Sequence, residues 1–359
     1  MASTTPMIRA AAQVVSEQRL PAAALPSERP TLRVVALGGG TGLPILLQGL
    51  KAAFFPPGWT WMAARDLDRL TAIVTVADDG GSSGRLRQAY RVLATGDIRN
   101  CLLALADGDP TISALFGFRF NGKGDVSGHS LGNLILTALD QLEPDFLKAV
   151  TRASEILAVR GQVFPATPDD VTLVAEFADG SRVHGESRIA SVRRPIRRLL
   201  LRPDGARAVP PALQAIASAD LIVLGPGSLY TSLLPTLLVR ELGQAIRNSR
   251  ARVVLVMNLM TESGETDGYM PADFVQAIRR HTPWLPIHDV VLNSTVVSRE
   301  LIDRYAVAGS VPIGADTERL MALGCRPVSC DLLGDGPNIR HDPHKLASAV
   351  LELAKGAAK

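Results

Sequence analysis

Along this chain, short runs of consecutive apolar, largely β-branched residues alternate with longer stretches whose apolar positions recur every three or four residues. The runs lie at residues 32–37, 70–76, 221–224, 252–257 and 289–292, and stretches such as 130–142 and 271–280 have the helical spacing. A strand that is apolar at every position is buried on both faces. Helices between such strands then supply the cover, as in a parallel sheet. The pattern from Thr31 onward therefore predicts a doubly wound, mostly parallel α/β fold of Rossmann-like type. Two stretches interrupt it. Residues 54–69, "FFPPGWTWMAARDLDR", carry a Pro-Pro-Gly breaker and two tryptophans expected to cover a core edge. Residues 171–187 alternate at period two around Asp179-Gly180, which predicts an antiparallel hairpin. The expected organisation is a disordered leader over residues 1–30 and a single domain over 31–359, with insertions near 54–69 and 160–207.

Composition narrows the classes of function. No apolar stretch reaches the roughly 18 to 20 residues of a membrane span, so none is expected. A formal net charge of +3 gives no electrostatic case for nucleic acid. Residues 182–207 hold eight arginines against Glu186 and Asp204, a solvated face or a site for an acidic partner or phosphate. The three cysteines, Cys101, Cys325 and Cys330, make neither a disulfide framework nor a metal knuckle, and a reducing cytoplasm is the expected location.

The candidate chemistry lies where strands end. "ALGGGTGLP" places Gly38, Gly39, Gly40, Thr41 and Gly42 between a strand and a helix, where a flexible backbone and unpaired N–H groups suit an anion. The spacing lacks the third glycine of a dinucleotide fingerprint and the lysine of a Walker loop. After the second strand, "VADDGGSSGRLR" offers Asp78, Asp79, Gly81, Ser82, Ser83 and Arg85 to the same crevice. Asp78 and Asp79 are candidates for catalysis or for holding Mg²⁺; no other cofactor is implied. "GDIRN" adds Asp97, which could also cap its helix, with Arg99 and Asn100. "GHSLGN" puts His129, Ser130 and Asn133 at a helix start, where they can clamp a phosphate or sugar or serve structure alone. Gly225, Gly227 and Ser228 form a second anion-binding turn. Asn258, Thr266 and Tyr269 belong to a loop whose tyrosine can stack on a ligand ring or staple the next helix.

Taken together, "GGGTGL", "VADDGGSSGRLR", "GDIRNCLLALA", "GHSLGNLILTAL", "LGPGSLYTSLLPTLLV" and "GETDGY" resemble the YvcK family, the gluconeogenesis factors of the CofD-like superfamily, over roughly residues 31–350. The resemblance implies a CofD-like fold and a cytoplasmic bacterial protein that binds UDP-sugars, above all UDP-N-acetylglucosamine. It further implies a regulatory role in cell-wall precursor supply and cell shape, leaving room for protein partners in those pathways and for a homo-oligomer. The superfamily also contains 2-phospho-L-lactate transferase, so a phosphotransferase using a nucleoside-diphosphate-linked donor is the alternative. The stretch Gly80–Arg87 is similar to the gluconeogenesis-factor branch. Leu93-Ala94-Thr95, Glu262-Ser263 and the length of 54–69 depart from it. A nicotinamide dehydrogenase is the most distant reading. The turns offer phosphate cradles without an evident nucleophile beside a base, which favours binding over catalysis.

Overall fold

Five strands, β1 (Val34–Gly38), β2 (Leu70–Val74), β7 (Leu221–Leu224), β8 (Arg252–Val256) and β9 (Asp289–Asn293), coincide with the apolar runs. In the computed structural model, which describes residues 32–56 and 64–355, they belong to a seven-stranded sheet in the order β10-β9-β8-β7-β1-β2-β3. Every pairing in it is parallel. The two outer strands, β3 (Gln162–Pro165) and β10 (Arg326–Cys330), carry no apolar run. β1, β2 and β7 are buried at every position, as strands covered on both sides must be. Helices Gly42–Phe54, Gly96–Leu105 and Pro343–Lys355 pack together, as do Pro210–Ser218 with Arg240–Asn248 and Pro271–His281 with Thr317–Ala322. Buried Asp289, at the start of β9, accepts hydrogen bonds from Arg252 Nη2 at 2.9 Å and Arg326 Nε at 2.6 Å on the neighbouring strands, closing the end of the sheet opposite the crevice.

The antiparallel insertion has one strand more than the hairpin. β4 (Thr172–Phe177) pairs with β5 (Arg182–His184) across the Asp179-Gly180 turn and with β6 (Ile196–Arg202) on its other edge. Part of the arginine run is paired within this sheet: Arg182 and Arg197 both bind buried Glu176, and Arg194 binds Asp179 while lying 4.6 Å over the Phe177 ring. The expected leader and the two tryptophans of 54–69 lie outside the described residues. Within that insertion, the Arg69 guanidinium lies 4.7 Å over the Phe54 ring. Among the described residues no helix is long and apolar enough to cross a membrane.

Candidate functional site

From β1 the chain steps outward to β2 and β3, then returns to lay β7 on the other flank of β1. Such a reversal opens a crevice at the carboxyl ends of the two central strands. The turns after β1 and β7 meet there. A Cβ on Gly42 would lie 2.6 Å from the Pro226 carbonyl oxygen, so the two backbones touch, and Gly40 has φ +66°, a conformation that suits glycine. At the end of β8, Asn258 fixes the second turn from both sides: its Oδ1 accepts from Gly227 N–H at 3.0 Å and its Nδ2 donates to Gly227 O at 3.1 Å. The same amide donates to Glu262 at 3.2 Å, and Glu262 also accepts from the Ser228 hydroxyl. Gly40, Thr41, Gly42, Gly227, Ser228 and Asn258 line one cavity of about 270 Å³. Thr41, Gly42 and Leu43 open the helix Gly42–Phe54, where N–H groups lack intrahelical partners. The donors of Gly40, Gly225 and Gly227 are already engaged, by Asp97, by Leu37 O and by Asn258.

The other predicted residues do not line that cavity, and those of the segments that follow β2 gather on its flank. His129 and Asn133, four apart, both reach Ser82: His129 Nδ1 lies 2.9 Å from Ser82 Oγ, and Asn133 Nδ2 donates to that oxygen at 3.1 Å. Arg99 donates to Asn133 Oδ1 at 2.8 Å and to Asn100 Oδ1 at 2.7 Å. Ser83 accepts from Gly96 N–H at 3.2 Å, Ser130 donates to Phe116 O at 3.3 Å, and Arg85 donates to Ser127 O at 2.7 Å. Ser82 and His129 do form a hydroxyl–imidazole pair, which the sequence reading missed because 47 residues separate them. Asp97 is not a cap for its own helix: that helix starts at Gly96, and the carboxylate turns away to accept from Gly40 N–H at 2.8 Å.

Asp78 and Asp79 point to different tasks. Asp78 accepts from Gly80 N–H at 2.8 Å, forming an Asx turn, whereas Asp79 accepts from Ser187 N–H at 2.8 Å at the start of the insertion's helix Glu186–Val192. Among the described residues no group of three or more His, Cys, Asp or Glu is arranged to hold a metal. A Mg²⁺ ion here would depend on ligand phosphates plus one or two carboxylates. Thr266 supports its loop by accepting from Glu262 N–H at 2.9 Å. Tyr269 is half-buried, not open: its ring meets Tyr230 and Phe274 edge-on, and its hydroxyl lies 2.8 Å from that of Tyr230.

The crevice is crowded with acids. Burial pushes Asp97 up to about 6, and nearby Asp78 adds to the shift. Burial, then Asp78 and Asp79, push Glu186 up to about 7. Glu265, which accepts from Tyr230 N–H and the Thr231 hydroxyl, is pushed up to about 8 by burial and by Glu262, itself raised by burial. His129 is shifted down by burial, then by Arg85 and Arg119, so its ring is neutral. Sequence reasoning passed over Glu186 and Glu265 as site residues, and also Arg340 and His341, which line the cavity from a segment near the end of the chain. A loop as acidic as "MTESGETDGY" held a signal for Glu265; "NIRHDPH" held none, because only folding brings it to the glycine turns.

The profile of the family described as 2-phospho-L-lactate transferase CofD matches residues 34–333. The chain is 43% identical over 324 residues to the gluconeogenesis factor of Bacillus subtilis, covering 90% of this chain and 98% of that one. It is 46% identical over 328 residues to a putative gluconeogenesis factor of Nostoc, covering 90% and 69% respectively. A crystal structure of a UPF0052 family member from Bacillus halodurans aligns with a TM-score of 0.82 at 41% identity, covering 89% of this chain and 98% of that one. The chain therefore belongs to the CofD family, among the gluconeogenesis factors.

Proposed function

We propose that this protein is a UDP-sugar-binding regulator, with UDP-N-acetylglucosamine as ligand, that couples carbon metabolism to cell-wall precursor supply and cell shape in the cytoplasm. The observation that carries this reading is the shared cavity: two strand-to-helix turns line one pocket at the reversal of the sheet, and the first of them opens a helix whose leading N–H groups lack intrahelical partners, where a diphosphate can be received. The Ser82–His129 pair is not placed to act on a ligand there, since neither residue lines the cavity and Asn133 already donates to the serine oxygen. The curated relatives named gluconeogenesis factor support the regulatory part. Calorimetric titration with UDP-N-acetylglucosamine, UDP-glucose, GDP and NAD tests the reading. Preference for the UDP-sugars is expected; equal affinity for inorganic phosphate would sink it. The description of the matching family profile keeps phosphotransfer as a second reading. Reproducible transfer of a phosphate-linked group, lost in both Asp78→Asn and Asp79→Asn, would establish that reading instead.

A further inference from the structure

The arginine run that the cavity leaves unused sits on the three-stranded sheet. Cross-strand partners share a face, so the register of β4 with β5 and β6 sorts the side chains of that sheet. Leu173, Ala175, Phe177, Leu199 and Leu201 point inward and are buried in the core. The opposite face carries Val174 and Glu176 with Arg182, Arg198, Leu200 and Arg202, and neither Val174 nor Leu200 joins the core. Arg197 reaches the same face from the bulge, where it binds Glu176. Four arginines therefore share one outward face with Glu176, the one acid on these strands.

That acid is fully engaged. Arg182 donates to its Oε2 from Nε at 3.1 Å and from Nη2 at 2.9 Å, Arg197 donates to Oε1, and Arg197 and then Arg182 hold the carboxyl below its ordinary range. Both guanidinium groups are thereby fixed in place. Each has N–H donors to spare, and their side chains remain 54% and 62% exposed. Arg198 lies directly across from Glu176 in the register, yet no carboxylate among the described residues pairs with it. Arg202 has only the exposed Asp204, at 3.6 Å. At the outer edge of β6, His281 accepts from Leu199 N–H; burial lowers its pKa, and the neighbouring Arg280 and Arg198 lower it further. Exposed Arg280 thus extends the positive face. Like charges side by side on a sheet repel, so this cluster costs the sheet stability unless an anion covers it.

We propose that this face docks an acidic segment of a partner protein, whose carboxylates pair with Arg198, Arg202 and the spare donors of Arg182 and Arg197 around the apolar Val174 and Leu200. The proposal goes beyond the nucleotide-sugar reading and does not depend on it. Anchored guanidinium forks match carboxylates with two parallel bonds, and little freedom is lost when they bind. Nucleic acid fits less well. The face offers no Phe, Tyr or Trp on which a base could stack, and the net charge of the chain is only +3. The sheet is also tied to the crevice, because β5 leads into helix Glu186–Val192, whose Ser187 N–H donates to Asp79.

The test is fluorescence anisotropy of the full chain with a labelled oligoglutamate peptide, and with an oligouridylate of equal charge, at near-physiological ionic strength. Wild type should bind the peptide more tightly than the RNA. Arg198→Ser combined with Arg202→Ser should weaken peptide binding at least about tenfold. Melting should be unchanged, because both side chains are exposed and neither holds Glu176. Arg247→Ser combined with Arg250→Ser removes an exposed basic pair at the end of helix Arg240–Asn248 and should leave peptide binding as in wild type. No peptide binding by wild type, or an equal loss in both double variants, would overturn the proposal. Tighter binding of the RNA, lost in the Arg198→Ser and Arg202→Ser variant, would overturn it in favour of a nucleic-acid face. Sedimentation of the chain alone covers the remaining occupant: self-association that disappears in the same variant would make a second copy the partner and overturn the proposal.

Discussion

The two flanks of the crevice use the same local device, a glycine-rich stretch leading from a parallel strand into a helix, and they end differently. On the β2 flank, Ser82, His129, Asn133, Arg99 and Asn100 bond to one another, leaving the Arg99 Nε and the Thr95 hydroxyl as buried atoms without partners. On the β7–β8 flank, the turns line an open cavity, and among the described residues no acid pairs with Arg340 and no donor reaches the buried His341 Nε2. Gly- and Ser-rich loops therefore carry no fixed meaning. What separates a structural tie from a ligand wall is whether the polar atoms left unsatisfied line an open cavity, as His341 does and Arg99 and Thr95 do not.

The contrast breaks most severely at Gly42. Gly42→Val would push a branched side chain into the Pro226 carbonyl and separate the two turns. A stability loss of about 3 kcal/mol in urea denaturation is expected, together with loss of UDP-N-acetylglucosamine binding. Unchanged stability and affinity would mean that the turns move apart freely. The opposite flank should respond differently. Asn133→Ala leaves an Arg99 donor and the Ser82 hydroxyl short of a partner inside the protein, at a cost of about 2 kcal/mol, while ligand affinity stays within about twofold. Lost affinity with intact stability would make the β2 network part of the binding site.

Acidity sharpens the comparison, because Glu262, raised by burial, lines the cavity itself and Asp97 is bonded to Gly40, which also lines it. The phosphodiester charges of a UDP-sugar are constant near neutrality, so the pH response belongs to the protein. As pH rises through about 6, Asp97 gains its charge behind the Gly40 turn, and through about 7 Glu186 adds charge near Asp78 and Asp79. Affinity should therefore fall between pH 6 and pH 8, by about tenfold, or about 1.4 kcal/mol, for each unit of linked shift. Stability of the ligand-free protein should follow the same sign. These acids hold protons in the folded state that the unfolded chain has released, so their contribution is complete below the ordinary carboxylate range. It is lost as pH climbs through the folded values, up to about 8 for Glu265. Affinity that is flat with pH while stability changes would show that the acids do not face the ligand.

Much of this architecture is legible in the chain. The central strands read as apolar runs because both faces are covered, and the Asp179-Gly180 hairpin reads because one turn fixes its register. The edges do not read. β10, "RPVSC", is polar and partly exposed, and β3 has only four residues ending in a proline, so neither leaves a hydrophobic signature. Within the candidate site, the glycine turns and Asn258 were visible because backbone geometry demands particular residue types there. Arg340 and His341 were not, since nothing local marks a residue whose role depends on a cavity wall formed by distant segments.

Tyr269 separates the two kinds of legibility most finely. Its loop, with Gly264, Thr266 and Gly268, suggests a ring free to meet a ligand, yet the ring packs edge-on against Tyr230 and Phe274. Burial pushes the Tyr230 phenol far above its ordinary range, so that group stays protonated and depends on Tyr269 for a hydrogen-bond partner. Tyr269→Phe keeps the ring contacts and removes only that partner. The expected result is a stability loss of about 1 kcal/mol, the net value of one such bond, with affinity for UDP-N-acetylglucosamine unchanged. The variant isolates the hydroxyl, where an alanine would also empty the space between Tyr230 and Phe274. If melting is unchanged while affinity falls by tenfold or more, the hydroxyl belongs to the ligand and not to the packing around Tyr230.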